Sequence, residues 1–185
     1  MPKEKPTLAE PAALGLAAFG VTTVLLNLHN LGLITATMTF CYGIFYGGLA
    51  QVIAGLVDFK RGNVFGATAF TSYGLFWIGF SLYIILEWLG ITKAGGGELA
   101  AWMAIWGLFT LYMAIGSLKL GSTALLVVLT TLAILFFLLA GAFASGSTTL
   151  LRVAGAEGVL CGFSAIYTSA GIILNSVYGK RVLPI

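Results

Sequence analysis

The chain reads as an all-α integral membrane protein with six transmembrane helices in one domain, and three observations carry that reading. Hydrophobic residues fill 59% of the 185 positions and charged residues only 8%, against roughly 25% charged in soluble domains. The apolar stretches are continuous, without the period-two alternation that a membrane β-barrel requires. Six of them reach the ~20 residues needed to cross a bilayer.

The spans fall near 12–33, 36–57, 67–90, 98–118, 122–144 and 151–177, leaving tails at 1–11 and 178–185. Each break is marked by charge, glycine or small polar residues. Asp58 to Asn63 separates the second span from the third, Lys93 to Glu98 the third from the fourth, and Ser145 to Thr148 the fifth from the sixth. The first apolar run follows a mixed-charge tail and is long enough to span, so it reads as a retained helix and not as a cleaved signal.

Basic residues set the orientation. With six spans, Lys3, Lys5, Lys60, Arg61, Lys119, Lys180 and Arg181 share one side, and only Lys93 and Arg152 lie on the other. Both termini are therefore expected in the cytoplasm, with the protein in the inner or plasma membrane. The net charge is +3, but the basic residues never cluster, which argues against nucleic acid as a partner. Cys41 and Cys161 both fall within spans, with no C-x-x-C pair, and read as small packing residues.

The polar residues inside the spans carry the functional signal, because an unpaired polar group in hydrocarbon costs several kcal/mol. In the first span Phe19, Thr23, Asn27 and Asn30 step by four, four and three, one face of a helix. Thr22 and His29 make a neighbouring stripe. In the sixth span Glu157, Cys161, Ser164, Thr168, Gly171 and Asn175 form another face of small and polar side chains. Such faces serve either as helix-to-helix hydrogen-bonding surfaces or as the wall of a polar path. Gln51 in the second span and Thr71, Ser72 and Tyr73 in the third extend the set.

Two residues are candidates for moving a proton. His29 is the one side chain whose ordinary pKa lies near physiological pH, and Glu157 is a carboxylate within a span, in a wet environment or in an ion pair with Arg152. Trp88 and Trp102 read as interfacial anchors. Gly43-x-x-x-Gly47 and Gly158-x-x-x-Gly162 allow close helix approach, within the bundle or between subunits. No catalytic triad, metal cluster, phosphate loop or cofactor motif is present, so neither an enzyme nor a cofactor is expected. The absence of lysine or arginine deep in any span suits a small solute of low or partial charge.

Several long motifs then agree in order. Glu10-Pro-Ala-Ala-Leu-Gly-Leu16, Phe19-Gly-Val-Thr-Thr-Val-Leu-Leu-Asn-Leu-His-Asn30, Gly43-Ile-Phe-Tyr-Gly-Gly-Leu-Ala-Gln51 and Gly66-Ala-Thr-Ala-Phe-Thr-Ser-Tyr73 resemble the acetate uptake transporter family, in its bacterial succinate–acetate permease branch. The resemblance continues through Trp106-Gly-Leu-Phe-Thr110, Gly116-Ser-Leu-Lys119 and Val182-Leu-Pro-Ile185.

It implies a homohexamer with one path per protomer, carrying acetate or related short carboxylates with protons. It also implies a hydrophobic constriction at Phe19, Tyr73 and Leu132. Two departures stand out: Glu10 and Ala13 replace the Asn and second Pro of the family pattern Asn-Pro-Ala-Pro-Leu-Gly-Leu, and Glu157 stands at a usually apolar position.

The expected function is a channel or transporter for acetate and related carboxylates, succinate among them. The constriction is Phe19, Tyr73 and Leu132. The path residues are Thr23, Asn27, Asn30, Gln51, Thr71, Ser72, Ser164, Thr168 and Asn175. A channel for urea or short amides, and a membrane scaffold or ammonia-related signalling component, are the alternatives.

Overall fold

The computed structural model describes residues 8–185; Lys3 and Lys5, which enter the orientation argument, lie outside them. Six helices are long and apolar enough to cross a membrane. The first is α1 (Ala12–Asn30). The second, Thr37–Arg61, is built from α2 (Thr37–Ile44), a wider-wound π segment (Phe45–Ala50) and α3 (Gln51–Arg61). Then come α4 (Val64–Trp88), α5 (Gly96–Ser117), α6 (Thr123–Ser145) and α7 (Thr148–Tyr178).

The boundaries differ most from expectation at the second and third spans. The second runs on to Arg61, so Asp58, Lys60 and Arg61 are helical and the break shrinks to Gly62-Asn63. The reason is a paired signal. Gly62 takes φ +75°, a left-handed end that other residues resist, and the Asn63 side chain caps α4 by accepting from Gly66 N at 3.2 Å. Ser122 and Ser147 cap α6 and α7 in the same way.

Small residues decide which helices meet. α1 lies against α7, where a Cβ on Gly20 would sit 2.7 Å from the Gly162 carbonyl oxygen. In the second span Gly43 backs onto Ser81 and Gly47 onto Thr22. Both glycine pairs singled out in the sequence thus serve packing inside the bundle. α5 packs chiefly on α6, with Gly107 under the Phe137 ring.

Cys161 is buried and directs its thiol at the Val128 carbonyl, 3.7 Å away, but Cys41 is exposed, so only one of the two is a core residue. Trp88 is exposed, as an interfacial residue would be. Trp102 is not an anchor: its ring stacks on Phe76 at 4.9 Å within the aromatic interior.

Candidate functional site

Two cavities lie end to end through the bundle. The first, a vestibule of about 380 Å³, starts beside Glu10 and Asn63 at the end where α1 begins. The second, about 40 Å³, reaches Asn30 and Phe143 toward the opposite end, with room for a few waters or one very small solute.

Three helices wall both, and along each the lining passes in sequence order from one cavity to the other. On α1 the vestibule takes Ala12 and Leu16, and the inner cavity takes Thr23, Leu26, Asn27 and Asn30. On α4 it takes Phe65, Gly66, Ala69 and Phe70, then Phe76, Trp77 and Phe80 follow. On α6, Ser122 to Leu129 precede Leu135 to Phe143. Each helix contributes one residue to both: Phe19, Tyr73 and Leu132. At 1.5 Å per residue, α1 from Ala12 to Asn30 covers about 27 Å, close to the hydrocarbon thickness of a bilayer.

The shared ring is held by its neighbours. Phe19, Tyr73 and Leu132 are all buried. The Phe19 and Tyr73 rings lie 6.1 Å apart at 48°. The Tyr73 hydroxyl donates to Thr110 Oγ1 at 3.0 Å, and that hydroxyl donates in turn to the Trp106 carbonyl at 2.8 Å. Trp106 and Phe109 flank the Tyr73 ring at 5.9 and 5.4 Å. The phenol is thus committed to α5, while Tyr73 lines both cavities.

The polar residues on either side hold their bonds mostly within their own helices. Asn27 Nδ2 donates to the Thr23 carbonyl at 2.8 Å, and Asn27 Oδ1 accepts from Asn30 Nδ2 at 3.1 Å. The Thr23 hydroxyl is buried with no protein partner. On the vestibule side Gln51 is buried with Oε1 unpartnered, and Thr168 donates to the Ser164 carbonyl at 2.7 Å. An unpartnered hydroxyl thus lies on one side of the ring and an unpartnered amide oxygen on the other, each with hydrogen-bonding capacity unused.

Other expected path residues lie elsewhere. Ser164 donates to the Cys161 carbonyl at 2.7 Å and faces a third cavity, not the two stacked ones. Thr71 packs against Gly55 between α3 and α4, and Ser72 lines neither stacked cavity. Asn175 is bound to the chain after α7. The sixth-span face is therefore divided among packing, two cavities and a tail contact, because only part of a long helix can face one axial path.

His29 is exposed at the last turn of α1, its Nδ1 3.1 Å from the Ile34 carbonyl. The Asn-x-His-Asn run lies at a helix end and not at mid-membrane, since α1 stops at Asn30. Glu157 is half-buried with both carboxylate oxygens unpartnered, and it forms no ion pair with Arg152 among the described residues. Neither His29 nor Glu157 lines the stacked cavities.

The mouth of the vestibule holds a group the sequence did not announce. Glu10 Oε2 accepts from Arg61 Nη2 at 2.6 Å. Arg61 Nη1 lies 3.9 Å from Asp58 Oδ1, which also accepts from Asn63 Nδ2 at 3.0 Å. The Arg61 hydrogen bond holds the Glu10 carboxyl below the usual carboxylate range. The acid at the departure from the family pattern is thus paired with a cation.

The inner cavity is chiefly aromatic and apolar, through Phe76, Trp77, Phe80, Met103 and Phe136. That wall was also unannounced, although Tyr73, Phe76 or Trp77, and Phe80 recur at helical spacing on α4.

A family model described as the GPR1/FUN34/yaaH family matches residues 1–180. The succinate-acetate/proton symporter SatP of Escherichia coli (strain K12) is 47% identical over 180 residues, 96% of this chain and 95% of that protein. Acetate permease A of Emericella nidulans is 31% identical over 197 residues, 96% of this chain and 65% of that protein. A solved structure of the bacterial acetate channel SatP superposes with a TM-score of 0.94 at 46% identity, covering 97% of this chain and 99% of that one. The chain belongs to the GPR1/FUN34/yaaH family.

Proposed function

We propose that this protein carries acetate and related short carboxylates, succinate among them, across the inner membrane together with protons. The solute passes from the vestibule to the inner cavity between Phe19, Tyr73 and Leu132. What supports the reading most is the pair of stacked cavities that share only those three residues. No lysine or arginine lines either cavity among the described residues.

An apolar ring without a fixed cation favours the protonated acid, because a bare carboxylate loses its hydration there with nothing to replace it. Gln51 and Thr168 on one side, and Thr23, Asn27 and Asn30 on the other, supply hydrogen bonds before and after the ring. Radiolabelled acetate uptake into proteoliposomes is expected to rise steeply as external pH falls. Uptake that is flat between acidic and neutral pH overturns the reading.

The path runs within a single chain, so each protomer of the expected hexamer carries its own. The asymmetry of basic residues supports cytoplasmic termini. Native mass spectrometry from mild detergent tests the number, six copies being expected. Protease access to a tag on each terminus in right-side-out and inverted vesicles tests the orientation.

A further inference from the structure

We propose that residues 180–185 form a strap that closes the side of the vestibule. In it Ile185 sets how bulky a carboxylate is admitted, and Asn175 is the residue that positions it. The proposal rests on the carboxylate-transport reading above and adds a specificity determinant to it.

α7 ends at Gly179, whose φ of +62° turns the chain back along the helix. The returning segment has no regular structure and is held by side chains of α7. Asn175 Oδ1 accepts from Val182 N at 2.6 Å and Leu183 N at 2.9 Å, while its Nδ2 donates to the Leu183 carbonyl at 2.9 Å. The Tyr167 hydroxyl donates to the Pro184 carbonyl at 2.9 Å. No other hydrogen bond among the described residues ties 180–185 to the bundle. Asn175 thus satisfies three backbone groups at once, a matched set that an incidental surface contact does not produce.

The strap delivers Ile185 to a prepared seat. Gly171 leaves the space its side chain occupies, since a Cβ there would run into Ile185 Cγ2. Ile185 is half-buried and lines the vestibule together with Thr168 and Ile172. It also lines the third cavity, about 430 Å³, whose walls include Thr123, Ser164, Tyr167 and Arg181. Ile185 is the one residue common to these two cavities. Ile185 therefore stands between the two. Shortening it widens the vestibule toward a compartment that holds the Thr123 hydroxyl and the Arg181 guanidinium, and releasing the strap frees the Tyr167 hydroxyl from the Pro184 carbonyl, donors suited to the second carboxylate of a diacid.

Acetate and succinate uptake are measured in parallel in proteoliposomes for the wild type, Ile185→Ala, Asn175→Ala and Asn175→Asp. Ile185→Ala and Asn175→Ala are expected to raise the succinate-to-acetate ratio on the order of tenfold, the scale of a reshaped apolar pocket. Asn175→Asp keeps the oxygen that both N–H groups use but sets a second oxygen against the Leu183 carbonyl in place of the donor, so its ratio should fall between the wild type and Asn175→Ala. Equal loss of both fluxes at an unchanged ratio marks a merely structural contact and overturns the proposal.

A second measurement does not need transport. In a Cys41→Ser background, Ile185→Cys is labelled with a hydrophilic maleimide, with and without Asn175→Ala. Labelling should be about tenfold faster once the three hydrogen bonds are gone; an unchanged rate overturns the strap. If the wild type moves neither acid, the transport reading fails while the labelling still judges the strap.

Discussion

At the residue scale, the Tyr73–Thr110 bond fixes the phenol that lines both stacked cavities. Thr110 Oγ1 accepts from the phenol, and both residues are buried. Replacing Thr110 by Val leaves a buried O–H without an acceptor, which costs about 1–3 kcal/mol. Tyr73→Phe removes the donor instead and leaves only one lone pair of Thr110 unused, so it should cost less. Adding Tyr73→Phe to Thr110→Val should therefore recover stability, a coupling that thermal unfolding of the detergent-solubilised single and double variants reads directly. Independent, additive losses would mean that the bond does not hold the ring.

Glu10 adds a pH-dependent term at this scale. Its carboxyl is held below its unfolded value by Arg61, so the contribution is present above the ordinary carboxylate range and fades as pH falls through the lowered value. With the Glu10 side chain 45% exposed, screening keeps it within about 1 kcal/mol. Glu10→Gln should be slightly less stable than the wild type near pH 7, and the gap should close as pH falls through the lowered Glu10 value; a gap that persists in strong acid assigns the effect to packing.

At the element scale, six spans were legible because hydrophobic length is set by the bilayer and written continuously in the chain. The π winding inside the second span was not. Its π segment falls where Gly47 meets Thr22 and Gly48 meets Ile78. That local widening answers to neighbouring helices, which no one-dimensional pattern records. The seam between α1 and α7 shows what such close approach demands. A Cβ on Gly158 would occupy the carboxamide of Asn27, displacing a side chain whose bonds to Thr23 and Asn30 shape the inner cavity. Gly158→Ala should lower stability by about 1–3 kcal/mol. Gly79, also mid-helix, has open space around it, so Gly79→Ala should be neutral or stabilising by up to about 1 kcal/mol. Equal behaviour of the two in thermal unfolding would remove Asn27 as the reason for Gly158.

At the scale of the whole molecule, the polar face of α1 was readable from spacing alone. The ring of Phe19, Tyr73 and Leu132 came only through family motifs, because three residues on three helices share no local pattern. In the proposed path that ring is where the two stacked cavities meet, and its three side chains are buried. Above the pKa of a carboxylic acid, its neutral fraction falls about tenfold per pH unit, so a path limited by this ring must follow the same slope. Leu132 can be shortened without removing a hydrogen bond, and Leu132→Ala opens space between the two cavities it lines. Water entering the gap would solvate the anion through the narrow zone. Acetate uptake by Leu132→Ala should therefore be faster at neutral pH and less steep in pH than the wild type, as read by proteoliposome flux across pH 5 to 8 (about the range where the neutral form becomes scarce). A faster variant with an unchanged slope would place proton dependence elsewhere in the protein, and a slower one would mean that Leu132 supports the helices instead of closing the path.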